Sequence, residues 1–376
     1  MATRQGAHPW VVERQQGIRF ALQVDTRKDD PTPSKRVLEA GHLAEELGFD
    51  AFFTGDHPSW QAEVWLHLAA LAATTTRIGL GPMVSCILYR PPLLTARLAA
   101  DLDNMSDGRL VLGLGIGWDA AVLGWGTNEF ERMGLPYPKT RQRQEALTEA
   151  ITILRGVWGP APFTFQGSHY AVTDAQVTPP PSQGEPPIFI AGAGERTLRQ
   201  VAEFADACNI GPVVTGGVDS PDEVRHKLAT LRRHCDDIGR PFAEILRSHF
   251  TIWLMLAEDE AGVQRKLRHY FSDGLDDTWQ RAVVAGTPAE VVSYYQSYAD
   301  AGMQYFIAQT LDAGDHETIR LLAEEVAPHV RPGAAAERVM PPALSTQIGD
   351  GSRARSMSTI IPAEGPGQAP RSEQCL

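Results

Sequence analysis

Short apolar runs alternate with amphipathic stretches along most of the chain. Residues 18–24 (IRFALQV) have the apolar and β-branched character of a strand. Across 34–47, Val37, Leu38, Leu43, Ala44 and Leu47 recur at helical spacing, and Gly48 stands where a helix end takes a left-handed residue. The pairing then repeats. Strands are expected at 49–54, 77–85, 109–115, 187–191, 207–210, 246–256 and 303–308. Helices are expected at 64–75, 93–105, 140–158, 195–205, 221–238, 259–271, 288–301 and 316–326.

Eight β-then-α units in strict order imply parallel strands joined by right-handed crossovers. Over about 310 residues this predicts an α/β fold of the closed (β/α)₈ TIM-barrel type rather than an open doubly wound sheet. The barrel is expected to be a single domain at 18–330, after an N-terminal extension at 1–17. Residues 159–187, rich in Pro, Gly and Thr, read as an irregular surface insertion after the fourth strand. Pro, Ala, Gly, Ser and Arg dominate 331–376, which reads as a disordered tail.

Composition narrows the function classes. The 376 residues carry a formal charge of −12, which disfavours a phosphate backbone as partner, so no nucleic acid is expected. No apolar stretch reaches the ~18 residues of a membrane span, and residues 1–17 lack the apolar core of a secretory signal. Cys86, Cys208, Cys235 and Cys375 form neither a disulfide framework nor a zinc set. A cytoplasmic setting and a small-molecule substrate are the expectation.

Barrel enzymes place their chemistry on the loops after the strands. Those loops hold Gln23 and Asp25; Asp56, His57 and Trp60; Ser85, Cys86, Ile87, Tyr89 and Arg90; Gly115, Gly117, Trp118 and Asp119; Asn209 and Gly211. The fifth strand runs into Gly192, Ala193, Gly194, Glu195, Arg196 and Thr197. No lysine stands at a strand end, which argues against Schiff-base chemistry. Asp56 and His57 alone are too few ligands for a metal, so none is expected. A mouth of Gly, Trp, Cys, Tyr and one His suits a large flat organic cofactor.

Each of these residues also has a plainer reading. His57 is the candidate general acid or base, since imidazole titrates near neutrality; the alternative is a structural histidine. Trp60, Tyr89 and Trp118 are candidate walls for substrate, or fill the barrel top. Arg90 holds an anion or a neighbouring carboxylate. Cys86 reads as a packing residue, because no base adjoins it. The turn at 192–197 opens a helix whose free N–H groups suit a phosphate, or is a simple βα turn. In the GLGIG run at 113–117, Trp118 occupies the third glycine position of a dinucleotide fingerprint, so that reading is rejected.

Four segments, taken in order, resemble the bacterial luciferase-like family of flavin and deazaflavin oxidoreductases. They are FDAFFTGDHPSW at 49–60 and RIGLGPMVSCILYRPPLLTARLAADLDNMSDGRLVLGLGIGW at 77–118. FERMGLPYPKTRQRQEALTEAITILRGVW at 130–158 and PPIFIAGAGERTLRQVAEFADACNI at 186–210 complete the set. The pattern is most similar to members that use coenzyme F420, an 8-hydroxy-5-deazaflavin. The resemblance implies a homodimer and a non-prolyl cis peptide near the end of the third strand, here expected at Cys86–Ile87 or else Ser85–Cys86. It implies that His57 lies near the reactive ring carbon. It also implies that Gln23, Asp56, Ser85, Cys86, Ile87, Gly115, the turn from Gly192 to Arg196, and Asn209 surround the cofactor, with Trp60, Tyr89 and Trp118 toward substrate. The sugar-phosphate lysines of one branch of the family have no match in this chain.

Three functions follow. The first is F420-dependent hydride transfer to or from a small organic substrate. The second is an FMN-dependent monooxygenase. The third is a barrel that binds flavin without catalysis, against which the polar trio Asp56, His57 and Arg90 speaks.

Overall fold

The computed structural model describes residues 6–25, 30–118, 128–212 and 216–333. All of them belong to the first of two compact units, Met1–Met340; the second, Pro341–Leu376, lies outside the described residues, as does nearly all of the expected tail. In chain order the elements are α1 (Pro9–Arg14), β1 (Arg19–Val24), α2 (Pro33–Glu46), β2 (Ala51–Thr54) and α3 (Val64–Thr74). Then come β3 (Gly79–Pro82), β4 (Ser85–Cys86), α4 (Pro92–Met105), β5 (Leu112–Gly115), α5 (Glu129–Arg132) and α6 (Thr140–Val157). Next are β6 (Phe163–Gln166), β7 (Ala171–Ala175), β8 (Ile188–Ala191), α7 (Glu195–Phe204), β9 (Ala207–Ile210) and α8 (Pro221–Asp237). The last are β10 (Leu246–Thr251), β11 (Met255–Leu256), α9 (Glu260–Tyr270), α10 (Asp277–Ala282), β12 (Ala285–Gly286), α11 (Pro288–Asp300), β13 (Tyr305–Thr310) and α12 (His316–Leu321).

One parallel sheet runs β3-β2-β1-β13-β10-β9-β8-β5-β4. It closes where the Leu80 N–H donates to Arg109 and the Val111 N–H donates to Leu80, at 3.0 and 2.9 Å. Because β4 continues β3 after two residues, the sheet is the expected eight-stranded barrel. Alternation sets its layers. Ala21, Phe53, Val111, Phe189, Ala207, Leu246, Tyr305 and Ile307 fill the interior, while Phe20, Leu22, Phe52, Leu112, Ile190 and Phe306 pack outward on the helices.

The N-terminal extension is not a bare appendage. It carries α1, whose first turn is capped by the His8 side chain accepting from the Trp10 N–H. Val11 is fully buried in the barrel interior, and the Trp10 ring lies 5.5 Å from Phe189 and 5.6 Å from Tyr305. Arg14 pairs with Asp50, just ahead of β2, so α1 covers the floor at the N-terminal ends of the strands. A cavity of about 340 Å³ beside it is lined by Arg14, Arg19, Glu45, Asp50 and Arg77. The carboxylates there are already satisfied: Asp50 by Arg14 and the Tyr305 hydroxyl, Glu45 by the N–H groups of Thr76, Arg77 and Ile78.

Three expectations need correction. Residues 159–187 are not irregular: β6 and β7 form an antiparallel hairpin. Its turn is pinned because Glu149 on α6 accepts the N–H groups of Ser168, His169 and Tyr170, a long-range support with no local signature. The seventh strand does not run unbroken to 256. Trp253 takes a left-handed φ of 49° that ends β10, and β11 pairs instead with β12. The non-prolyl cis peptide is Met83–Val84, two bonds before Ser85–Cys86 and three before Cys86–Ile87. Cys86 is already in β4, paired with Gly115, so Met83 and Val84 fill the break between the two strand segments. Gly48, with φ of 80°, does end α2 as its sequence position predicts.

Candidate active site

At the C-terminal mouth the inward face of the barrel turns polar. Gln23 and Gln309 continue the inward parity of Ala21 and Ile307 and stand opposite each other in the β1–β13 register. Both are buried, and the side-chain oxygen of each has no hydrogen-bond donor. Such orphaned acceptors cost free energy unless a partner arrives, so this floor is built to receive a donor-bearing group. Asn209, on β9, is also buried, its Oδ1 accepting from the Ser248 hydroxyl at 2.9 Å.

Asp56, after β2, is committed to the protein itself. Its carboxylate accepts from the Ser85 hydroxyl, the Cys86 N–H and both terminal nitrogens of Arg90, between 2.6 and 3.2 Å. Arg90 also reaches Glu63 at 2.6 Å, so of its two sequence readings the neighbouring carboxylate is the observed one. This buried fork ties the end of β2 to the loop around β4 and sets where Ser85 and Cys86 sit. Burial pushes the Cys86 thiol up to about 12, leaving it an inert packing group. Ile87 is buried as well, and its N–H donates to Gly115 at 3.1 Å.

His57 projects from the same loop with a side chain 30% exposed. Its Nδ1 lies 2.9 Å from Oε2 of Glu129, a fully buried carboxylate on α5. Glu129 also accepts the Tyr89 hydroxyl at 2.8 Å and the Ser59 N–H at 3.2 Å. Trp60 stacks on the imidazole, centroids 4.7 Å apart. Burial alone would lower the His57 pKa, but the hydrogen bond and charge of Glu129, helped by Asp25 and Asp56, raise it above the ordinary imidazole value. Burial would likewise raise Glu129, and His57, Tyr89 and the Ser59 N–H bring it below the carboxylate range. The carboxylate therefore fixes the Nδ1–H tautomer and leaves Nε2 available to exchange a proton.

Glycines shape the wall beside this cluster. A Cβ on Gly113 would lie 2.4 Å from the Pro82 carbonyl oxygen, and one on Gly115 would lie 2.5 Å from Val84. The GLGIG run thus admits the Met83–Val84 segment instead of cradling a phosphate. Trp118 is half-buried on the loop that follows; Arg143 donates to the carbonyls of Ile116 and Gly117 at 3.0 and 2.8 Å and holds it. Asp119 lies outside the described residues.

Across the mouth, α7 opens at Gly194, which offers no capping side chain. Gly192 takes φ of 125°, Ala193 is buried and Gly194 is exposed. The Glu195 side chain turns away to Arg233 and His234 on α8, and Arg196 to Glu145 on α6. The backbone N–H groups of that first turn are what the helix presents to an anion. Sequence reading named His57 but missed Glu129, Trp253 and Trp279, the last two stacked at 4.2 Å beyond β10. The cue for α5 was Asn128, whose side chain caps it by accepting from the Phe130 N–H.

The profile of the family described as luciferase-like monooxygenase matches residues 17–320. The chain belongs to that family. This luciferase-like chain is 27% identical to an F420-dependent glucose-6-phosphate dehydrogenase of Microbacterium testaceum, over 84% of its own length and 98% of the relative. It is 29% identical to the pyrimidine monooxygenase RutA of Acinetobacter baylyi, over 65% of its length and 64% of the relative. Its fold is shared with the coenzyme F420 dependent tetrahydromethanopterin reductase of Methanopyrus kandleri, at 20% identity and a TM-score of 0.69, covering 83% of this chain and 99% of that one. Among the described residues of the luciferase-like barrel, no group of three or more His, Cys, Asp or Glu is placed to hold a metal. Nor is any helix long and apolar enough to cross a membrane.

Proposed function

We propose that this protein is a coenzyme F420-dependent oxidoreductase moving a hydride between the deazaflavin and a small organic substrate. The observation that carries the reading is the His57–Glu129 pair at the mouth, facing a polar floor with two unmatched acceptors. The F420-dependent relative spanning most of the chain supports the choice of cofactor. A flat ring with donor edges fits Gln23 and Gln309, and a phosphate fits the uncapped start of α7 through Gly192, Ala193, Gly194 and the N–H groups that follow. When bound, the deazaflavin supplies the carbon that accepts or donates the hydride.

The chain supplies position and a proton. Glu129 orients the His57 ring and stabilises its charged form, so that Nε2 gives a proton to the substrate oxygen or nitrogen during reduction, or takes one during oxidation. Tyr89, whose phenol burial holds protonated, donates to Glu129 and steadies it. Asp56 acts by positioning Ser85, Cys86 and Arg90. Trp60 and Trp118 then wall the substrate side. The substrate class is an alcohol or its carbonyl partner, or an activated alkene or imine.

The second reading is an FMN-dependent monooxygenase, which the family description and the pyrimidine monooxygenase relative favour. We further propose a homodimer, with Leu66, Leu93 and Leu94 exposed on the neighbouring helices α3 and α4 as support. A cytoplasmic setting accords with the free buried thiols of Cys86, Cys208 and Cys235. The test of function is deazaflavin turnover by the wild type and by His57→Ala. The variant is expected to keep cofactor affinity and lose about 10²–10⁴-fold in rate. Undiminished turnover would remove His57 from the mechanism.

A further inference from the structure

A cationic pocket lies at the end of the barrel opposite the mouth. Arg247 is the second residue of β10, and because Leu246 faces the interior it projects outward, between the sheet and α8. It is 1% exposed. Its Nε donates to the Gly302 carbonyl at 2.9 Å, yet both terminal nitrogens are buried without a partner. Arg247 is one of the residues lining a cavity of about 200 Å³, together with Arg225, Arg232 and Phe242 and with no carboxylate. Arg232 and Arg247 both lie over the Phe242 ring, at 4.2 and 5.1 Å from its centre. Arg225 has a surface partner in Asp222, a residue 90% exposed.

A buried guanidinium with two orphaned nitrogens is among the costlier arrangements a fold can hold. Here two more arginines converge on it, and burial, reinforced by Arg232, pushes Arg247 down to about 10. A fork of unmatched donors just beneath a carboxylate-free cavity is chemistry that suits a bidentate oxyanion. The cavity has room for several waters, more than one bridging water would need. We propose that this pocket binds a phosphate group, held bidentately by Arg247 and flanked by Arg225 and Arg232. It stands at the N-terminal end of β10, roughly 15 Å along the strand from the mouth, and is independent of the cofactor proposed there.

The test is thermal unfolding at low ionic strength with inorganic phosphate, against chloride matched in ionic strength. The wild type is expected to gain Tm with phosphate beyond the chloride control, saturably, as a native-state ligand requires. In R225Q/R232Q, which changes only exposed side chains, about ten-fold more phosphate is expected for the same shift. Arg247→Met should lose the response down to whatever share the start of α7 contributes to all three proteins. Phosphate bound only at the start of α7 would raise Tm equally in all three proteins, and that result overturns the proposal. A wild type that responds to phosphate no more than to chloride overturns it as well, leaving the guanidinium to ordered water. Glycerol phosphate distinguishes the source: tighter binding than inorganic phosphate indicates a phosphate ester, weaker binding the free ion.

Discussion

At the scale of single residues, His57 and Glu129 depend on each other. The raised imidazole pKa means that the His57 contribution to stability is full below its ordinary pKa and fades as pH rises through the raised value. Glu129 behaves oppositely, its contribution full above the ordinary carboxylate range and lost as pH falls through the depressed value. The ion pair is therefore intact between those limits, across neutrality. Glu129→Gln removes the charge that holds His57 protonated, so the limb of the pH–rate profile that reports His57 should move to lower pH. An unmoved limb would assign that titration to another group. Cys86 should resist alkylation by iodoacetamide in the folded protein at pH near 8, since its thiol is held near 12; rapid labelling would contradict that burial. His57 was legible in the sequence because strand ends carry barrel chemistry. Glu129 was not, being 72 positions from His57 and well past the end of β5.

At the scale of elements, the β3–β4 break is fitted by glycine. Gly113→Ala would drive a methyl group into the Pro82 carbonyl, backbone that cannot rotate away. The expected cost is about 1–3 kcal/mol in urea unfolding, typical of overpacking; a neutral result would show that the wall yields. Periodicity located the barrel strands and the helices that connect them, because strands buried on both faces read as apolar runs and the helices as amphipathic ones. It failed where a distant residue decides. The β6–β7 turn is shaped by Glu149 and tethered by the Tyr170 hydroxyl to the Ile87 carbonyl at 2.9 Å. The end of β10 is fixed by Trp253, which stacks on Trp279. Neither contact has a local signature.

At the scale of the whole molecule, the barrel separates stability from chemistry. Its floor is sealed by α1, through Val11 and Trp10. Deleting residues 1–16 should cost roughly 3–5 kcal/mol, the range for removing a large buried side chain, as read by thermal unfolding. It should leave the His57–Glu129 geometry at the opposite mouth, and hence cofactor affinity in the folded fraction, unchanged. Loss of affinity with the fold intact would show that floor and mouth are coupled. The alternation of strand and helix made this architecture readable. The polar floor of Gln23 and Gln309 became meaningful only when β1 and β13, at opposite ends of the chain, were seen as neighbours. The central claim is that this mouth takes a deazaflavin. The direct measurement is a fluorescence titration of the purified protein with oxidised coenzyme F420 and, separately, with FMN. Micromolar binding of F420 with much weaker binding of FMN is the predicted result; preference for FMN, or binding of neither, would contradict it.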